Sequence, residues 1–113
     1  MADTLVSNYL TIGSTSATEI IVAGAWTSTV LSITICDNST NGNTFDLYID
    51  PAATGTGDNS GNAVYLYKAQ SLPGASTFEH TAKIVLHSND KIYLTMASTN
   101  QVCTSVSSLK QTA

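Results

Sequence analysis

The sequence predicts an all-β protein, an antiparallel β-sandwich or jelly-roll-like domain of about eight strands, and three observations carry that prediction. Apolar residues come in short runs that alternate with polar ones, the period-2 signature of a strand with one buried face. The polar remainder is 17 Thr, 14 Ser and 8 Asn against 4 Lys and no Arg, and β-branched and small side chains suit a pleated surface. Gly, Asn and Pro punctuate the chain at strand-length intervals, whereas no window has the 3.6-residue period and caps of a helix. At 113 residues the whole chain, 1–113, reads as a single domain large enough for one sandwich core.

The elements follow in order. A polar N-terminal arm, residues 1–8, is expected to extend toward a neighbour. It overlaps a weak first strand, Leu5 to Ile12, which ends at Gly13-Ser14-Thr15-Ser16. Glu19 to Ala23 is a short second strand stopped by Gly24. The clearest strand is Thr29 to Asp37, where Leu31, Ile33 and Ile35 alternate with Ser32 and Thr34. Asn41-Gly42, in the polar turn after it, suits positive φ angles. Thr44 to Asp50 directs Phe45, Leu47 and Ile49 inward and Asp46, Tyr48 and Asp50 outward, until Pro51 removes a ladder donor. A long polar loop leads to Ala63 to Gln70, with Val64 and Leu66 on one face and Tyr65 and Tyr67 on the other. Leu72-Pro73-Gly74-Ala75 turns into a strand from Thr77 to Leu86. Ser88-Asn89-Asp90 turns into Lys91 to Ala97, where Ile92, Leu94 and Met96 alternate with Tyr93 and Thr95. Gln101 to Leu109 is the last strand, followed by a polar tail. The expected core is Leu31, Ile33, Ile35, Phe45, Leu47, Ile49, Val64, Leu66, Ile84, Leu86, Ile92 and Leu94.

Composition excludes several functions. Only 11% of residues are charged and the net charge is -4. Lys68, Lys83, Lys91 and Lys110 are scattered, so no concentrated positive field awaits a phosphate backbone and no nucleic-acid partner is expected. No apolar run approaches the length of a membrane span, so no membrane partner is expected either. The first residues carry neither a basic nor an apolar leader segment. Cys36 and Cys103 are therefore expected to be free thiols with no required disulfide.

Catalytic and metal chemistry find little material. The two histidines are His80 and His87. Glu79 and His80, being adjacent on a strand, point to opposite faces and make no catalytic pair. His87 abuts a turn and reads as a solvated rim residue. Cys36, Cys103 and the histidines lack the close spacing of zinc ligands. Asp50, Asp58, Asn59 and Asn62 offer oxygens, but without the ordered pattern of a calcium loop. Asn38-Ser39-Thr40 fits the glycosylation acceptor pattern and reads as a turn. No cofactor and no enzymatic activity are expected. The side chains suited to contact are Tyr48, Tyr65, Tyr67 and Tyr93, which fall opposite the aliphatic stripes; tyrosine gives large area and a polar tip at little entropic cost. Trp26 sits in a turn and builds no sugar platform.

Four segments carry a resemblance. Ala17-Thr18-Glu19-Ile20-Ile21-Val22 precedes a Trp-bearing turn. Val30 to Asn38 follows, then Phe45-Asp46-Leu47-Tyr48-Ile49, then Ile84 to Leu94 with its Asn89-Asp90 hairpin. Over roughly residues 17 to 97 this order resembles the small β-sandwich virion proteins of tailed bacteriophages, of the decoration, head-fibre or tail-associated kind. Asn89 stands where that pattern has a glycine, and still permits the turn. The resemblance implies an assembly role in a virion, made in the host cytoplasm, with no catalytic residues to carry over. It implies self-association, with a trimer favoured, and docking on capsid or tail subunits. The competing expectation is a lectin-like or receptor-binding module.

Overall fold

The computed structural model of the protein describes residues 2–22, 25–51 and 63–112. Nine strands form two antiparallel sheets: β1 (Ala2–Ile12), β2 (Thr18–Val22), β3 (Thr27–Asp37), β4 (Asn43–Asp50), β5 (Val64–Leu72), β6 (Thr77–His80), β7 (Ile84–Leu86), β8 (Lys91–Met96) and β9 (Val102–Thr112). Among the described residues there is no helix. One sheet runs β1-β9-β3-β6, with β7 also pairing β3; the other runs β2-β8-β4-β5. If β6 and β7 are one interrupted strand, this is the two-Greek-key strand order of a jelly roll. The sandwich expected from the sequence is thus observed.

The core lies between the sheets. Val30, Ile33, Ile35, Val102 and Val106 from one sheet meet Phe45, Leu47, Ile92, Leu94 and Met96 from the other. Of the expected core residues, Ile33, Ile35, Phe45, Leu47, Leu86, Ile92 and Leu94 are buried. Ile49, Leu66 and Ile84 are partly buried and pack against that cluster.

Leu31 and Val64 depart from expectation, and the cause is backbone irregularity rather than hydropathy. In β3 the register to β9 shifts between Val30 and Ser32. A bulge adds one residue and reverses the alternation beyond it. Val30 is therefore fully buried while Leu31 is half-buried. The strand expected from Thr77 to Leu86 is broken over the same irregularity: β6 pairs with Ile33 to Cys36, β7 with Ser28 to Val30, and the residues between them face the bulge. Val64, at the start of an edge strand, is 38% exposed.

The N-terminal arm is another correction. Residues 2–8 do not project from the domain but belong to β1, which pairs with β9 from Ala2↔Thr112 to Ile12↔Val102 without interruption. From the expected polar tail, Lys110, Gln111 and Thr112 continue β9 and pair with Thr4, Asp3 and Ala2. The Asn41-Gly42 turn packs on the Pro73-Gly74 turn, where Ala75 N donates to Ser39 O at 2.7 Å. Gly74 lies so close to the Thr40 carbonyl that a side chain has no room there.

Candidate functional site

The outer face of the β2-β8-β4-β5 sheet carries an aligned row of tyrosines, of which Tyr65 is exposed and Tyr48 and Tyr93 are half-buried. Tyr48 in β4 pairs in register with Tyr65 in β5 on one side and with Tyr93 in β8 on the other. Cross-strand neighbours on one face stand close enough for their rings to meet. The Tyr48 and Tyr65 centroids are 5.1 Å apart with the rings 22° from parallel; Tyr48 and Tyr93 are 5.6 Å apart at 23°. Nearly parallel rings at such distances are offset-stacked, so Tyr48 has a ring on either side while Tyr65 and Tyr93 each meet one ring of the row.

Ionic groups frame this row. Lys68 Nζ lies 4.3 Å from the Tyr65 centroid and 3.3 Å from Asp46 Oδ2. At the far side Lys91 Nζ is 3.4 Å from Glu19 Oε1, and Glu19 pairs in register with Tyr93. The hydrogen bond from Lys68 to Asp46 raises that ammonium above its ordinary value of 10.5. The bond to Glu19, and then the neighbouring Tyr93 and Glu19 charges, do the same for Lys91. Both lysines, cationic at neutral pH with or without these partners, remain at the surface.

The sequence expectation placed Tyr67 with these three tyrosines; the structure separates it. Leu47 pairs with Tyr67 while the next residue, Tyr48, pairs with Tyr65, so Leu66 is an extra residue in β5 and reverses the alternation. A further irregularity lies between the Phe45↔Gln70 and Leu47↔Tyr67 pairs. There Ala69 adopts φ 50° and donates its N–H to Asp46 Oδ1 at 2.8 Å. Asp46 thus fastens the irregular strand with the same carboxylate that holds Lys68. Tyr67 turns inward to an aromatic cluster, with centroids 4.8 Å from Phe78, 6.4 Å from Phe45 and 5.6 Å from His80. Its hydroxyl bonds His80 Nδ1 at 2.8 Å. It is a packing residue, leaving Tyr48, Tyr65 and Tyr93 as the row on the outer face.

The other candidates lie elsewhere. His80 is buried beside Tyr67, whereas Glu79 and His87 are exposed. Asp58, Asn59 and Asn62 lie outside the described residues. Among the described residues no three His, Cys, Asp or Glu side chains gather as a metal site. Cys36 and Cys103, 67 positions apart in sequence, are direct cross-strand partners on β3 and β9, and both thiols are free. No local pattern announces that pairing, because it depends on which strands become neighbours. No protein-family model matches the chain, and neither a curated protein nor a solved structure matches it.

Proposed function

We propose that the protein is a non-enzymatic structural subunit of a phage particle, of the capsid-decoration or tail-associated kind, which docks on another virion protein through the tyrosine face and associates with its own copies. The observation that carries this reading is the row Tyr65–Tyr48–Tyr93, aligned across three strands and framed by Lys68–Asp46 and Lys91–Glu19. Such a row gives large contact area with a polar rim. A jelly-roll strand order also recurs in viral capsid and lectin domains, which supports the reading by analogy of fold alone.

A lectin-like role is the second reading, since aromatic rings also receive sugars. Sugar stacking uses an open ring face, and the central Tyr48 has a stacked ring on either side. Edges and hydroxyls suit a protein surface better. The test is co-sedimentation of the purified chain with phage particles that lack it. Tyr48→Ala, at the centre of the row, is expected to weaken docking by about 2 kcal/mol or more, as at interface hot spots, with unchanged circular dichroism. Wild-type protein that never joins particles but is retained on a glycan array would replace this reading with the second.

A further inference from the structure

The four sheet edges are not alike. β2 is five residues long, carries Glu19 and has an irregularity between Glu19 and Ile21. β5 has two register shifts and presents Lys68. β6 and β7 are four and three residues long, with Lys83 between them. Shortness, bulges and lysines are the devices by which a sheet edge avoids pairing with another chain. β1 has none of them. It is eleven residues long, pairs with β9 in unbroken register, contains no proline or lysine and has Asp3 as its only charge. Leu5 is 76% exposed and Tyr9 is 74% exposed.

The direction of its free backbone groups follows from the ladder. Asn38 N donates to Gln101 O and Asp37 N to Ser76 O, so odd-numbered residues of β9 direct their peptide groups toward β3 and even-numbered ones toward β1. The β9 partners of Thr4, Val6, Asn8, Leu10 and Ile12 are even-numbered. Asp3, Leu5, Ser7, Tyr9 and Thr11 therefore turn their N–H and C=O groups to the open edge.

We propose that this edge pairs antiparallel with β1 of a second copy about a two-fold axis at Ser7, joining two sheets into one. Centring on Ser7 puts Leu5 of each copy opposite Tyr9 of the other and Asp3 opposite Thr11. The two most exposed large hydrophobic side chains among the described residues cover each other, no like charges meet, and the outward peptide groups find partners. A two-fold contact of this kind uses one patch on each copy and closes at two copies, whereas the resemblance led to an expected trimer. The pairing deepens the proposed function by naming how copies meet, but it uses a different surface from the tyrosine row, so the two ideas fail separately.

The test is the solution mass of the full chain by light scattering, across a dilution series. A dimer is expected. Ser7→Pro should reduce it to a monomer, because it removes an outward N–H that β9 does not use, and proline is tolerated on the solvent side of an edge strand. Leu5→Lys should also give a monomer, by adding charge to the edge. Both variants should keep the β-sheet circular dichroism of the wild type. In a Cys36→Ser, Cys103→Ser background, Ser7→Cys should oxidise to a covalent dimer. A wild-type monomer at all concentrations, a trimer, or a dimer that survives folded Leu5→Lys and fails to cross-link at Ser7→Cys would overturn the pairing. Particle docking by a monomeric Leu5→Lys variant would separate this contact from the tyrosine face.

Discussion

The two long flanks of the sandwich are built differently. Between β5 and β6, Phe45, Tyr67, Phe78 and His80 interlock, with Phe45 5.1 Å from Phe78 in an edge-to-face contact, and the flank is closed. Between β1 and β2 the sheets leave a groove of about 410 Å³ bordered by Val6, Leu10, Ile20, Ile21 and Trp26. Lys110 Nζ lies over Trp26 at 3.8 Å from the ring centroid. Over residues 3–12 of β1 only Ile12 is buried. One flank is held by side-chain packing, the other by the backbone ladder between β1 and β9. Cohesion at a sandwich margin can come from either source, and only the first leaves no surface for a partner.

Substitutions can break this contrast. Phe45→Ala is expected to have the largest effect, about 3–5 kcal/mol, because a fully buried ring leaves a cavity between the sheets; chemical denaturation measures it. Next comes Tyr67→Phe, which removes the hydroxyl bonded to His80 Nδ1. His80 Nε2 is already buried without a partner, so stranding the second nitrogen should cost about 1–3 kcal/mol. On the open flank, Leu10→Ala should cost less than about 1 kcal/mol, as exposed positions do. A cost at Leu10 rivalling that at Phe45, and growing with protein concentration, would mean that a second copy covers the flank in solution.

Lys68→Met should have the smallest effect, with no measurable change in Tm at neutral pH, since an exposed ion pair contributes little. The sign of its pH dependence is fixed. Lys68 has a raised pKa in the folded protein, so its contribution is fully present below the ordinary 10.5 and is lost as pH rises through the higher folded value. Melting curves of wild type and variant should therefore superimpose from mildly acidic to neutral pH, with any small wild-type advantage gone at strongly alkaline pH. A difference that appears between neutral and mildly acidic pH would implicate another group.

What was legible in the sequence was whatever depends on neighbours along the chain. The alternation of Phe45, Leu47, Ile92 and Leu94 marks a core face directly, and the turns at Asn41-Gly42 and Pro73-Gly74 are local chemistry. The misses at Leu31 and Tyr67 share one cause. Leu31 and Leu66 each sit where a bulge reverses the alternation, and a bulge is set by the strand across the sheet. That reversal sent Tyr67 into the aromatic cluster while Tyr65 stayed on the surface. In the same way, nothing within residues 2–12 says that this strand will stand at an edge. Its exposure follows from β9 lying between it and β3.

The β1–β9 ladder also has a consequence for folding. Even its nearest pair, Ile12↔Val102, joins residues 90 positions apart, so β1 cannot be placed until a strand far along the chain reaches it. Contacts so distant in sequence slow folding. Until then the segment with the exposed Leu5 and Tyr9 has neither edge satisfied, and unpaired strand edges are where partly folded chains associate. Any pairing of β1 with another chain would therefore compete with its own folding.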